Sequence, residues 1–245
     1  MNYLKILKNI FLRFGYSLIL FFTTIIFPRS RNLVIFGSKH GSLYCDNSRY
    51  LFEWILKNKP EIKCLWLTRN SEIYDLLKKK NIPCLIMYSL KGRLALKRAL
   101  VGVISHSLRD LVPKPTDIPT SIKLIQLFHG QCVKAVRFGM NEGFEDNNEA
   151  TDRRLEASLI TYAISTSDFM SNLWEKCMDF GRDKHITSGY PRNDCLIKVP
   201  DKNKLKWNNF MNGEIFQNTI LYAPTYRPGK KPTTFFPFPD YSKDL

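Results

Sequence analysis

The sequence predicts an α/β fold built on a parallel sheet, and three observations carry that prediction. From Asn32 onward, short β-branched and aliphatic runs alternate with segments of helical period. Capping residues stand where those helical segments begin. The composition, 44% hydrophobic and 24% charged, supplies enough apolar surface for a packed core and excludes a mainly disordered chain. A length of 245 residues exceeds the usual single domain, so two domains are expected.

Met1 to Arg31 carries Lys5, Lys8, Arg13, Arg29 and Arg31, with no acidic residue, around an apolar run from Phe14 to Phe27. As a helix that run reaches only about 20 Å at about 1.5 Å per residue, short of a bilayer core. The pattern therefore predicts a helix lying in one leaflet, with residues 1–31 as a membrane-associating segment. Thr23 to Ser30 offers no small-residue cleavage site, which argues against a secretory signal.

Strands are then expected at Asn32–Phe36, Lys63–Leu67, Cys84–Met87, Val101–Ser105 and Lys123–Phe128. The first intervening helix starts at Asp46, Asn47 or Ser48 and places Leu51, Phe52, Ile55 and Leu56 on one face; Ser71 and Ser89 cap the next two. Val112 to Pro119 reads as loop, and the polar, acidic stretch Phe138 to Asp152 as a link between domains. Residues 32–155 thus form a first domain and 156–245 a second. The second contributes a strand at Leu159–Ile164, a helix over Phe169–Met178 capped by Ser167, a short strand about Ile186, and a strand at Thr219–Ala223.

A net charge of +15 calls for an anionic partner: nucleic acid, anionic lipid or a phosphorylated substrate. The cations are spread along the chain, and no RNP, zinc-finger or helix-turn-helix pattern occurs, so no nucleic-acid partner is expected. The six cysteines are widely spaced, with no metal-ligand pattern, and read as reduced, mostly buried thiols. Glu142, Glu145, Asp146, Glu149 and Asp152 lack cation-loop spacing and read as a solvated loop; no metal site is expected.

In parallel α/β sheets, ligands bind beyond the carboxyl ends of strands. There the fifth strand runs into Phe128-His129-Gly130-Gln131-Cys132-Val133-Lys134. A neutral His129 can take a proton from an attacking hydroxyl, Gly130 admits a phosphate close to the backbone, and Lys134 brings charge. An ordinary strand-end histidine bonded to backbone competes with that reading. His40 and His106 also follow strands, without a comparable neighbourhood. Two later segments, Gly189-Tyr190-Pro191-Arg192-Asn193-Asp194 and Leu221-Tyr222-Ala223-Pro224-Thr225-Tyr226-Arg227, each place a proline turn and an arginine after a strand. Arg192 and Arg227 suit bidentate contact with a pyrophosphate and Thr225 a hydroxyl contact; a structural turn with solvated arginines is the alternative.

Phe36-Gly37-Ser38, Asp46-Asn47-Ser48, Trp66-Leu67-Thr68, His129-Gly130 with Lys134, Gly189 to Asp194, and Leu221 to Arg227 together resemble the CDP-glycerol glycerophosphotransferase family, in order and spacing. The resemblance implies a GT-B-like pair of Rossmann-type domains in a peripheral enzyme at the cytoplasmic face of the plasma membrane. It implies transfer of a polyol phosphate from CDP-glycerol or a related CDP-polyol to a lipid-linked glycerophosphate or glycan acceptor, in teichoic acid or capsule-like polymer synthesis, without a cofactor. By the same likeness His129 is the catalytic base, and Gly130, Lys134, Arg192, Asn193, Asp194, Thr225 and Arg227 bind substrate. This chain has Phe128 and Cys132 where the family's motif usually has Trp and Pro. The family's donor domain continues past the motif at Ala223 to Arg227 and supplies a second histidine, whereas here none follows His185; residues 156–245 are therefore expected to be an incomplete donor domain. A GT-B sugar transferase and a catalytically inactive binding partner are the competing functions.

Overall fold

The computed structural model describes residues 28–131, 136–139 and 148–197. Seven strands among them form one sheet: β1 (Leu33–Phe36), β2 (Lys63–Thr68), β3 (Cys84–Ile86), β4 (Val101–Ile104), β5 (Lys123–Gln126), β6 (Ile160–Ser165) and β7 (His185–Thr187). The order across the sheet is β3-β2-β1-β4-β5-β6-β7, and every pairing is parallel. Because β1 lies between β2 and β4, the chain first winds outward to β3 and then returns to the other side of β1. That reversal opens a crevice at the carboxyl ends of β1 and β4.

Alternation along each strand sends side chains to two separate cores. From β1, Leu33 and Ile35 enter one core with Leu67, Ile104, Leu124 and Ala163, while Phe36 enters the other with Trp66, Val103 and Leu127. Helices α1 (Asp46–Asn58) and α2 (Ser71–Lys79) cover the second face through Phe52 and Leu77. Helices α3 (Leu90–Arg98), α4 (Asn148–Leu159) and α5 (Asp168–Met178) cover the first, through Ala95 and Leu96, Ala157, and Met170 and Trp174. Phe52 is wholly buried and meets Phe36 and Trp66 edge to face at 5.2 and 5.7 Å, contacts each adding about 1 kcal/mol beyond area burial.

Ser89 and Ser167 cap α3 and α5, accepting from the N–H groups of Gly92 and Met170. The cap of α2 is Asn70, not Ser71: its side chain accepts from both Glu72 and Ile73. Two expectations meet a different outcome. The acidic stretch read as a link ends in α4, whose buried side is made of small residues, Ala150 and Ala157, with Glu156; so little bulk leaves no apolar period to read. And β6 and β7, which lie past residue 156, do not begin a new sheet but extend the first, β6 pairing with β5 through Leu124↔Ile160 and Gln126↔Ala163. The strand expected at Thr219–Ala223 and the membrane segment over 1–27 lie outside the described residues. No helix among the described residues is long and apolar enough to cross a membrane. Pro28 to Ser30 is tied to the amino end of the sheet, Arg29 donating to the carbonyls of Ala99 and Leu100 at 3.2 Å and Ser30 N–H to that of Arg98 at 2.9 Å.

Gly37, just past β1, is fixed by close approach. A Cβ there would stand 2.1 Å from the backbone oxygen of Asp110, so the strand end and the 3-10 turn Leu108–Asp110 pack with no room for a methyl group. Gly37→Ala is expected to cost about 3 kcal/mol of unfolding free energy, measured by urea denaturation. An unchanged midpoint would show that this backbone contact does not constrain the fold.

Candidate functional site

The crevice is built by three strand-end turns. After β1, Lys39 and His40 adopt left-handed backbone (φ 48° and 55°), followed by Gly41 at φ 74°. For non-glycine residues that conformation costs roughly 1–2 kcal/mol each, so it must be held from outside. The hydroxyl of Thr68 and the N–H of Arg69 both donate to the Gly41 carbonyl at 2.8 Å, and His40 N–H donates to Asp110 Oδ1 at 2.7 Å. After β4, Asp110 Oδ2 accepts from the N–H groups of Ser105 (2.9 Å) and His106 (2.8 Å). After β5, Phe128 turns left-handed (φ 54°) and stacks on Trp174, centroids 4.0 Å apart, which leaves the next residue, His129, exposed in the crevice.

These turns bring three imidazoles together. The rings of His106 and His129 are stacked, 4.3 Å apart and parallel within 2°, and His40 meets His106 edge-on at 6.3 Å. Their partners fix the tautomers. Nδ1 of His106 accepts from Lys39 N–H at 3.3 Å, so its proton is on Nε2, which faces Asp46 Oδ2 at 3.8 Å. Nδ1 of His129 lies 3.3 Å from the Ser105 carbonyl, which can only accept; the proton is on Nδ1 and the Nε2 lone pair is open. Burial, and then the nearby charges of His129, Lys39, His40 and Arg192, push His106 down to about 3, so its ring is neutral at neutral pH. His40 is lowered by burial and by Arg109, Arg69, Arg153 and Lys39. Burial pushes Asp110 up to about 6, against the backbone N–H donors that favour its charged form.

A second set of contacts closes the crevice from the side of β7. Asp46 opens α1 in left-handed backbone (φ 65°) and binds Arg192 Nη1 at 2.8 Å. Asn47, wholly buried, donates from Nδ2 to the Phe128 carbonyl at 2.8 Å and accepts at Oδ1 from Arg192 N–H at 3.2 Å. Tyr190 donates from its hydroxyl to the Gly130 carbonyl at 3.0 Å. Thus one turn of α1 clamps the His129-Gly130 turn to the Pro191–Asn193 turn. Among the described residues, no group of three His, Cys, Asp or Glu side chains is arranged to hold a metal ion.

The sequence profile of the CDP-Glycerol:Poly(glycerophosphate) glycerophosphotransferase family matches residues 19–243. The chain belongs to this family. Similar glycerophosphotransferase-family relatives include a teichoic acid poly(glycerol phosphate) polymerase of Bacillus subtilis (strain 168), 30% identical over 205 residues, and a teichoic acid glycerol-phosphate transferase of Staphylococcus aureus (strain NCTC 8325 / PS 47), 25% identical over 209. Those matches cover 82% and 81% of this chain but only 27% and 51% of the relatives, so the chain spans about half their length or less. The fold is that of the wall teichoic acid polymerase TagF, with a TM-score of 0.64 at 21% identity over 82% of this chain and 49% of that one.

Of the residues singled out in this glycerophosphotransferase-family chain, the structure gathers His129, Gly130 and Arg192: a Cβ on Gly130 would lie 3.8 Å from Arg192 Nη2. Arg192 is already paired with Asp46. Asn193 and Asp194 instead line a neighbouring groove of about 610 Å³ with Tyr50, Trp54 and Pro191. Lys134, Thr225 and Arg227 lie outside the described residues. His40 and His106, set aside on sequence, turn out to share the crevice, and Asp46, Asn47 and Asp110 were not anticipated in it. The available signal was positional: each of the three histidines closely follows a strand, and β1, β4 and β5 are neighbours in the sheet.

Two predictions follow from these contacts. Asn47→Ala leaves the Phe128 carbonyl and Arg192 N–H without their partner and is expected to cost about 2–3 kcal/mol in chemical denaturation. Asn47→Asp should cost no less, because a carboxylate accepts from Arg192 but cannot donate to Phe128; wild-type stability in Asn47→Asp would contradict the clamp. The second concerns acid. As pH falls from about 6.5 towards about 3, the unfolded chain protonates His106 and the folded one does not, so His106 lowers stability progressively over that window. Asp110, raised from 3.8 to about 6, acts with opposite sign as pH falls between those values. His106→Phe removes only the first effect. Its stability relative to wild type should therefore rise on acidification below about pH 6.5, by no more than about 1.4 kcal/mol per pH unit, in urea titrations run at several pH values.

Proposed function

We propose that this chain acts in the transfer of glycerol phosphate, or a related polyol phosphate, from a CDP-polyol to a membrane-linked acceptor during synthesis of a teichoic acid or capsule-like polymer. The observation that carries the reading is His129, exposed at the sheet's carboxyl edge with Nδ1–H held on the Ser105 carbonyl at 3.3 Å and Nε2 open. An acceptor hydroxyl gives its proton to Nε2 as its oxygen attacks the β-phosphorus of the CDP-polyol. The bond from that phosphorus to the bridging oxygen breaks, and CMP leaves with the electron pair. The carbonyl on Nδ1–H then stabilises the imidazolium that forms, and such a positioned base contributes about 10²–10⁴ in rate.

Gly130 admits the phosphate and Arg192 supplies donors for the pyrophosphate charge; the family resemblance also assigns substrate contacts to Lys134, Thr225 and Arg227, which lie outside the described residues. Asn193 and Asp194, beside Tyr50 and Trp54, line the neighbouring groove, where they would meet a more distant part of the substrate. Family membership supports the CDP-polyol, and the fold likeness to TagF supports a GT-B-like plan of Rossmann-type domains. The cationic, acid-free segment 1–31 supports a peripheral place on an anionic membrane surface at the cytoplasmic face.

The test offers purified chain CDP-glycerol, CDP-ribitol and a UDP-sugar with a lipid-linked glycerophosphate acceptor, following release of CMP or UDP. CMP release that falls at least about 100-fold in His129→Ala is expected; the ring is exposed and makes one long hydrogen bond, so the fold should survive. Turnover of the UDP-sugar alone, or full activity of His129→Ala, would overturn the reading.

A further inference from the structure

Of the titratable groups in the crevice that the proposed transfer does not use, His106, half-buried, is the one whose ring lies flat against that of His129. His129 itself is weakly held. Its side chain is exposed, and the 3.3 Å contact from Nδ1 to the Ser105 carbonyl is a long hydrogen bond. An imidazole so exposed turns readily about its last torsion, exchanging which nitrogen faces the carbonyl and which faces the acceptor. The parallel ring 4.3 Å away restricts that turn, since rotation drives an edge of His129 into the face of His106.

His106 is far better fixed. Its backbone N–H is bound by Asp110, its Nδ1 accepts from Lys39 N–H, and its Nε2 edge faces Asp46. The groups facing it are the cations of Lys39 and Arg192, the rings of His40 and His129, and the carboxylates of Asp46 and Asp110 at 3.8 and 3.9 Å. We propose that His106 is a positioning residue for His129: it fixes the ring plane so that Nε2 points at the acceptor, and its neutral face stabilises the imidazolium formed there. The second effect is that of a cation over an aromatic face, and it needs a neutral partner; a charged neighbour would oppose it. This inference rests on the reading of His129 as the base.

The experiment compares His106→Ala with His106→Phe, which keeps a flat, uncharged face, in the full chain. With CDP-glycerol, His106→Ala is expected to lose about 10–100-fold in kcat with KM for CDP-glycerol within about twofold, and His106→Phe to recover most of the loss. Nitrogen NMR of the His129 ring gives a readout independent of turnover: the Nδ1–H tautomer in wild type and His106→Phe, a mixture of both in His106→Ala. A His106→Ala protein with wild-type kcat and tautomer would overturn the proposal, as would His106→Phe as impaired as His106→Ala in both readouts. Should the wild-type chain turn over no CDP-polyol, the functional reading fails, while the tautomer comparison still decides the role of His106.

Discussion

The buried carboxylate of Asp110 is the contact on which the crevice depends. Without side-chain exposure, it accepts from His40 N–H on one side and from Ser105 and His106 N–H on the other. Those donors lie just past β1 and β4, where sheet pairing has ended and the strand ends would otherwise bury unpaired N–H groups, each costing about 1–3 kcal/mol. One side chain thus satisfies both turns at the point where the sheet order reverses. Gly37 completes the join, since only a residue without Cβ lets β1 pass the Asp110 carbonyl.

The other contacts are arranged around this join. With the His40 and His106 turns fixed, the third turn is brought into line by Asn47, whose carboxamide reaches the Phe128 carbonyl, and by the stack of Phe128 on Trp174. The left-handed residues Lys39, His40, Asp46 and Phe128 all border this region. Their concentration here has a cost, and the network of buried hydrogen bonds offsets it. The cationic surroundings have a related effect. Burial first, and then nearby charges including Lys39 and Arg192, disfavour protonation of His106, so the ring stacked on His129 stays neutral, and Asp46 balances Arg192 locally.

Much of the fold was legible in the sequence, because strand and helix periods are local. The strands from β1 to β6 fall within about two residues of their expected ends, and Ser89 and Ser167 cap where expected. What escaped was set by distance along the chain. His40, His106 and His129 share no local pattern; they meet only because β1 lies beside β4 and β4 beside β5, and strand order is a tertiary fact. Asp46 and Asn47 look like any helix start, since the residues that cap a helix are also those that bind an arginine or a carbonyl. Here Asp46 reaches its own neighbour Asn47 N–H and Arg192 instead of acting as an ordinary cap. Helix α4 was hidden by an acidic composition and a buried side of alanines. The continuation of the sheet into β6 and β7 was hidden because an acidic, glycine-containing stretch reads alike whether it links two sheets or two strands of one.

The pairing of Arg192 with Asp46 bears on the phosphate role proposed for Arg192. Asp46 engages Nη1 of the guanidinium, while Nη2 is directed past Gly130, 3.8 Å from where a Cβ would stand. A guanidinium carries five N–H donors in a planar fork, so one edge can remain on a carboxylate while the other meets a phosphate. The bare backbone of Gly130 keeps that second edge open. A Cβ there would already be in van der Waals contact with Nη2, so a longer side chain would compete for the space beside it. On the proposed reading, the pairing with Asp46 is compatible with a phosphate role for Arg192: it fixes the direction of the fork, so that part of the side-chain entropy an anion would otherwise cost is already spent.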